Sequence, residues 1–215
     1  MTRITTVLFD LDGTIIDSVR LILDSYHHTL ATHGLDAKSD DYWLAGLGTP
    51  LRVQFRPWAD DPPRLEAMIA TYREYNLAHH DSRVTAYPGV VEMVRKVKSA
   101  GLRTGLVTSK NSPGARRGLR VVGLEEAMEL VIGAEDVQNP KPHPEPIELA
   151  LRRLGQTAEE AIYVGDSTHD MESGRAARVL TAAALWGPFD RAHLAATAPD
   201  YWLETPGDLL TIVGL

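Results

Sequence analysis

The sequence contains no cysteine, which removes disulfides, thiolate nucleophiles and Cys-ligated zinc from consideration and fits a reducing compartment. It also lacks any apolar run approaching the roughly 18 residues that a membrane-spanning helix needs, and it enters its first apolar segment with no charged-then-apolar leader. The expectation is a cytoplasmic protein with no membrane partner. Basic residues are outnumbered: 22 Lys and Arg stand against 29 Asp and Glu, a net charge of −7. A broad nucleic-acid surface is therefore not expected, although a local basic pocket is compatible with that balance. The rest is ordinary for a globular chain of 215 residues, 44 % hydrophobic and 24 % charged. That is enough to bury a core for one domain, or for one domain carrying an insertion.

The stretch VLFDLDGT, residues 7–14, organises the reading. Its apolar start predicts a short buried parallel strand, and Asp10 and Asp12 follow where such a strand ends. Active sites in open α/β sheets lie at that edge. Carboxylates at i and i+2 of an extended segment point the same way, and Gly13 lets the backbone turn sharply beside whatever they hold. A bare Asp-x-Asp-Gly is equally a simple turn, so its companions decide.

From residue 18 to 82 only helical patterns occur. Val19, Ile22, Leu23, Tyr26 and Leu30 recur at helical spacing, with Ser18 as N-cap and Gly34 beyond the end. Shorter helical pieces start near Ser39 and Pro50, and a longer one starts at Pro62-Pro63 with Leu65, Met68, Ile69, Tyr72 and Tyr75 as its stripe. After Tyr87-Pro88-Gly89 the chain alternates helices with short apolar strands at 103–107, 130–132, 161–164 and 179–185. One of these helices opens at Ser112-Pro113, read as N-cap and first turn. The tail predicts a short helix, a brief extended piece at Tyr201-Trp202 and a final helix after Pro206. Such alternation implies a doubly wound, Rossmann-like α/β fold: a parallel sheet with helices on both faces. The domain expectation is an α/β core of 1–16 and 84–215 interrupted by a small all-helical unit, 17–83.

The strand ends carry chemistry. Thr108-Ser109-Lys110, Asn139-Pro140-Lys141-Pro142 and Gly165-Asp166-Ser167, with Asp170 one helical turn on, all fall on one edge with Asp10 and Asp12. Singly, each reads as a cap or a solvated loop residue; together they match the needs of phosphoryl transfer. A carboxylate attacks phosphorus only when shielded from the phosphate's own charge. Mg²⁺ would do this, held by Asp10, a backbone carbonyl near Asp12, and Asp166. Lys141 would neutralise a phosphate oxygen, and Thr108 and Ser109 with backbone N–H groups would hold others beside Gly13. Asp12 would act as general acid and base, provided like-charge neighbours raise its pKa. Asp170 would orient Lys141 or a metal-bound water.

The series DLDGT, VTSK, NPKP and VGDSTHD resembles the four motifs of the haloacid dehalogenase-like superfamily, across nearly the whole chain. The resemblance implies a Mg²⁺-dependent phosphatase with Asp10 as nucleophile, Asp12 as acid/base, Thr108 and Lys141 on the phosphate, and Asp166 on the metal, supported by Asp170. It also implies that residues 17–83 are a mobile helical cap hinged near 14–17 and 82–88. An acid at position 12 points to phosphate rather than carbon–halogen chemistry. The layout is similar to phosphoglycolate phosphatases, while YREYNLAHHDSRV, ITTVLFDLDGT and PDYWLE are similar to relatives that hydrolyse inorganic pyrophosphate. A phosphomutase of the same superfamily shares these motifs, while a silent sensor of phosphorylated metabolites would be favoured by loss of Asp10, Asp12 or Lys141, all of which are present. The expected partner is a small phosphorylated metabolite or pyrophosphate, and the expected state is monomer or homodimer. In the cap, residues 46–49 and Arg52 are expected at the substrate, and Arg56 on a solvated face. His79 and His80, about 100° apart on a helix, are expected at a helix C-terminus as cations rather than on one metal. Trp43, Trp58 and Trp186 are expected in packing.

Overall fold

A computed structural model describes residues 3–215; the first two residues of the 1–16 segment lie outside it. Strand β1 (Thr6–Phe9) is buried on both faces, and its side chains alternate as a pleat demands. Val7 and Phe9 pack in one core cluster with Val90, Val94 and Val97 of helix α5 (Val90–Ser99) and Leu209 of α10 (Pro206–Val213). Leu8 faces the other way, into a cluster with Ile147, Ala150 and Leu154 of α7 (Glu145–Leu154). A strand enclosed on both sides requires a continuous apolar run, and residues 6–9 supply one.

Five further strands complete a parallel sheet: β4 (Arg103–Val107), β5 (Leu130–Ile132), β6 (Ala161–Gly165), β7 (Leu180–Ala184) and β8 (Tyr201–Leu203). Their order is β5-β4-β1-β6-β7-β8. Phe9 sits opposite Leu106 on one side and Val164 on the other. The chain first builds outward from β1 through β4 and β5, then returns to the far side of β1 with β6. The β1–β6 boundary is thus the switch point, where two diverging connections leave a crevice. The extended piece expected at Tyr201-Trp202 is a full partner, with Tyr201 paired to Ala182 in parallel register.

Between β2 (Ile16–Asp17) and β3 (Thr85–Ala86) the chain is helical: α1 (Val19–Thr32), α2 (Asp40–Leu44), α3 (Leu51–Phe55) and α4 (Pro62–Arg83). These helices share a cluster of their own, including Tyr26, Leu30, Trp43, Phe55, Leu65 and Met68. The Tyr26 and Trp43 rings stack with centroids 4.2 Å apart. The two crossings between helices and sheet are tied by an antiparallel ribbon, Ile16 opposite Ala86 and Asp17 opposite Thr85, which the sequence reading missed because two-residue strands carry no periodicity. The Trp186 indole N–H donates to the Thr14 carbonyl at 2.9 Å beside that ribbon. Among the described residues no helix is long and apolar enough to cross a membrane.

Two caps differ from expectation. Ser18 occupies the position before α1, yet its hydroxyl makes no cap bond. Helix α6 (Ser112–Val121) is capped by Asn111, whose side chain accepts from the Gly114 N–H, so Ser112 is its first residue. An Asn one position earlier competes for the same role, and Pro113 is tolerated at either early position.

The base of the helical unit is fastened by charge. Asp24 of α1 accepts from Arg83 of α4 at 2.5 Å and pairs with Arg20 at 2.6 Å. Partial burial pushes the Asp24 carboxyl up, but Arg83 and Arg20 outweigh it and hold the group below its usual value. A depressed folded pKa gives stability that is present above the ordinary Asp value of about 3.9 and is lost as pH falls through the folded value. Asp24→Asn should lower the melting temperature by about 1–4 °C at pH 7. Thermal melts across pH should show that difference shrinking below about pH 4; a pH-independent difference would mean that packing rather than charge is at work.

Candidate active site

The ends of β1, β4 and β6 bring the sequence-predicted groups together. Asp10 leaves β1 with its N–H donating to the Val164 carbonyl at 2.9 Å. Lys141, in the loop before α7, is 5 % exposed. Its ammonium donates to Asp10 Oδ1 at 2.8 Å, to Asp170 Oδ1 at 2.6 Å and to the Tyr163 hydroxyl at 3.0 Å. That hydroxyl lies 2.9 Å from both Asp170 Oδ1 and the Val107 carbonyl, so it can donate to either. Burial pulls the Lys141 pKa down, but Asp10 and Asp170 raise it well above its usual value, and the ammonium stays charged.

Asp170 stands in the first turn of α8 (Thr168–Ala176). Its Oδ2 accepts from the Ser167 N–H at 3.1 Å and from the Ser167 hydroxyl at 2.6 Å, while the Asp170 N–H donates back to that hydroxyl at 3.2 Å. This reciprocal cap fixes the carboxylate on Lys141. Burial favours the neutral acid, yet Lys141 and Ser167 hold the Asp170 pKa below its usual value.

Asp166, directly after β6, is 1 % exposed. Its Oδ1 accepts from the Thr14 hydroxyl at 2.7 Å, while Oδ2 has no hydrogen-bond partner among the described residues. Burial, followed by the charges of Asp170 and Asp10, raises its pKa well above the usual value. Asp10 is pushed by burial up to about 7 against the pull of Lys141, with Asp170 adding to the rise. Oxygens of Asp10, Asp166 and Asp170 all lie within 4.8 Å of one another. Gly13 closes this cluster at φ +91°, where a Cβ would collide with the Asp166 carboxylate. A crowded, all-oxygen set with an orphaned buried carboxylate oxygen fits a hard divalent cation. Asp170 is already committed to Lys141 and Ser167, which leaves Asp10 and Asp166 as the donors with free capacity.

Asp12 departs from expectation. Both its oxygens face Lys110 Nζ, at 2.9 and 3.2 Å, and Oδ1 also accepts from Ser18 at 2.5 Å. Burial would raise its pKa, but Lys110 and Ser18 outweigh burial and lower it. The expected elevation by like-charged neighbours is therefore corrected: Lys110, a cation two residues beyond Thr108, lies 2.9 Å from the carboxylate. The sequence placed Lys110 on this edge, but neither its pairing with Asp12 nor the inward turn of Ser18 was read from it. Tyr163 was missed as well, because an aromatic in an apolar strand reads as core.

Thr108, at the end of β4, accepts from the Lys110 N–H at 3.2 Å. The Ser109 hydroxyl is buried without a partner among the described residues. Both line a cavity of about 700 Å³ together with Asp10, Asp12 and Lys141, roofed by Tyr26, Leu47, Gly48, Ile69 and Tyr72 of the helical unit. A Cβ at Gly48 would lie 3.8 Å from His169 and Ser167, so this loop approaches the sheet edge closely. Arg52 lies on the cavity rim, where it is paired with Glu66 and mostly exposed. Arg56 is exposed. His80 corrects the cationic expectation: it is 1 % exposed and its pKa is lowered, chiefly by burial. His79 Nδ1 lies 2.8 Å from the Tyr75 carbonyl. Trp43 is fully buried in the helical cluster, and Trp58 and Trp186 are partly buried.

With this geometry established, comparison with known proteins is informative. Residues 7–184 match the family described as haloacid dehalogenase-like hydrolase. The chain is 42 % identical, over 99 % of its length and 98 % of the relative's, to the pyrophosphatase PpaX of Anoxybacillus flavithermus. A crystal structure from Bacteroides fragilis, titled as a haloacid dehalogenase-like hydrolase, superposes with a TM-score of 0.89 at 29 % identity, covering 96 % of this chain and all of that one. A predicted phosphoglycolate phosphatase from Haemophilus somnus also reaches a TM-score of 0.89, covering 99 % of each chain, but at 22 % identity it speaks to the fold alone.

Lys141→Met keeps most of the side-chain volume and removes the charge that Asp10 and Asp170 share. Chemical denaturation at pH 7 should show a loss of about 3–5 kcal/mol, the usual consequence of orphaning one side of a buried ion pair. A loss below about 1 kcal/mol would mean that Asp10 and Asp170 do not depend on this ammonium.

Proposed function

We propose that this chain, which belongs to the haloacid dehalogenase-like hydrolases, hydrolyses inorganic pyrophosphate through a phosphoryl group carried transiently on Asp10. Relatives above 40 % identity over nearly the whole chain are named pyrophosphatases. The phosphoglycolate reading, which the sequence alone weighed equally, has solved counterparts so named at 22 % and 24 % identity, a likeness that speaks to the fold alone. The observation that carries the proposal is the ion pair between Asp12 and Lys110, closed by Ser18. It holds Asp12 as a carboxylate. A phosphomonoester releases an alkoxide, which needs a proton from a general acid; pyrophosphate releases phosphate, already a stable anion. An ionised Asp12 therefore suits pyrophosphate in the first step.

Asp10 attacks the first phosphorus, an O–P bond forms, and the bridging P–O bond breaks with its electron pair leaving on the second phosphate. Lys141, held by Asp170 and Tyr163, neutralises an equatorial oxygen, while Thr108 and Ser109 with neighbouring N–H groups take others. Water then attacks the phosphoryl group and gives a proton to Asp12, the Asp10–phosphorus bond breaks with its electron pair returning to Asp10, and Asp12 releases the proton to solvent so that both carboxylates are restored. Mg²⁺ held by Asp10, Asp166 and the backbone carbonyl of Asp12 would supply charge neutralisation between carboxylate and phosphate. Residues 17–83 serve as a cap that closes over the cavity and excludes water, with the β2–β3 ribbon at the hinge.

Phosphate release should be faster from pyrophosphate than from phosphoglycolate, whose leaving group is an alkoxide, and lost on adding EDTA. Asp10→Asn should retain the wild-type melting temperature and lose activity by a factor on the order of 10⁴ or more. A preference for phosphoglycolate would return the chain to the monoesterase reading, and an active Asp10→Asn protein would remove the covalent route altogether.

A further inference from the structure

One face of α4 forms a wall of the cavity. Glu66, Ile69, Arg73, Asn76 and Leu77 all line it, at the steps of three and four that put side chains on one side of a helix. The charges along this wall and the opposite one are mostly spent. Arg52 pairs with Glu66, Lys110 with Asp12, and Arg120 with Glu125 at 3.0 Å. Arg117 binds both Asp81 oxygens, at 2.7 and 3.1 Å. Arg73 lines the same cavity and, among the described residues, has no carboxylate partner.

Beside it the roof carries buried polar groups that face the cavity. Asn76 is 7 % exposed and donates one Nδ2 hydrogen to the Ser25 hydroxyl at 3.1 Å, leaving the second N–H of that amide free to donate. Tyr26 is 3 % exposed, its ring fixed against Trp43, Phe55 and Tyr72. Its hydroxyl finds no hydrogen bond within the described chain. Burial, and next the Asp12 charge, raise the pKa of that hydroxyl above its usual value, so it remains a donor. Polar groups that face a cavity with bonding capacity to spare are available to a ligand there.

We propose that Arg73, with the Tyr26 hydroxyl and the Asn76 carboxamide, forms a subsite for the second phosphate of a diphosphate substrate, the group that departs when Asp10 takes the first. This rests on the pyrophosphate reading above and adds where the departing half is held. A guanidinium can fork onto two phosphate oxygens. The phenol and carboxamide add hydrogen bonds without further charge, which lets the product phosphate leave. Arg52, the cation that the sequence reading favoured, is already neutralised by Glu66.

The test measures steady-state hydrolysis of pyrophosphate and of p-nitrophenyl phosphate by wild-type protein, Arg73→Gln and Arg73→Lys, with melting temperatures alongside. For Arg73→Gln, KM for pyrophosphate should rise roughly 10- to 100-fold, as expected for a charge-assisted hydrogen bond. The ratio of kcat/KM for pyrophosphate to that for the monoester should fall by a similar factor, the melting temperature should not change, and Arg73→Lys should recover part of the loss. An unchanged KM for pyrophosphate, or an equal loss on both substrates, overturns the subsite while the pyrophosphatase reading stands. Failure of the wild-type protein to turn over pyrophosphate overturns that reading first, and the subsite with it.

Discussion

A single buried ammonium group balances the charge at the edge of the sheet. Lys141 sits between Asp10 and Asp170, within 2.8 Å of each, in surroundings where an uncompensated carboxylate is costly. Without it, Asp10 and Asp170 would lie buried with no cation against them, beside a third acid whose oxygens come within 4.8 Å. Its own placement is built outward in layers: Tyr163 accepts from it, Asp170 is fixed by the Ser167 cap, and that cap opens α8. The local sequence GDSTHD thus serves two needs at once, starting a helix and aiming a carboxylate at a lysine brought in from another loop.

The fold explains why these groups meet. Parallel strands deliver their ends to one edge, and the order β5-β4-β1-β6-β7-β8 puts Asp10 and Asp166 on neighbouring strands at the switch point. Gly13 then admits the close approach of the Asp166 carboxylate. On the far side of the cavity the helical unit has a cluster of aromatic and aliphatic side chains of its own, so it can present Tyr26, Asn76 and Arg73 as a formed surface. The cation Lys110 and the hinge-side Ser18 both reach Asp12, which links the proposed base to the connection between the two parts.

The legible features were those with a repeating or terminal signature. The unbroken apolar run of β1, the apolar stripes of α1 and α4, and acids placed just beyond strand ends all leave marks in the sequence that physical rules read directly. What escaped depends on distance in space. The pairing of Lys110 with Asp12 joins residues 98 positions apart, and its effect on Asp12 reversed an expectation built from near neighbours in the chain. The β2–β3 ribbon is too short to have a period. Tyr163 hides in a strand whose other members are core, and only the fold reveals that its hydroxyl reaches Lys141. His80 reads as a cation at a helix end, yet it is buried against α6, where a Cβ added at Gly118 would lie 3.9 Å from its Nε2.

The central claim, that phosphoryl passes through Asp10, is tested most directly by acid-quenching a single turnover with pyrophosphate and weighing the peptides by mass spectrometry. The account predicts one phosphoryl group on the peptide that contains Asp10, appearing before the second phosphate is released and discharged by hydroxylamine, as an acyl phosphate would be. Phosphate release with no phosphorylated peptide at any time, or a phosphoryl group on another residue, would contradict it.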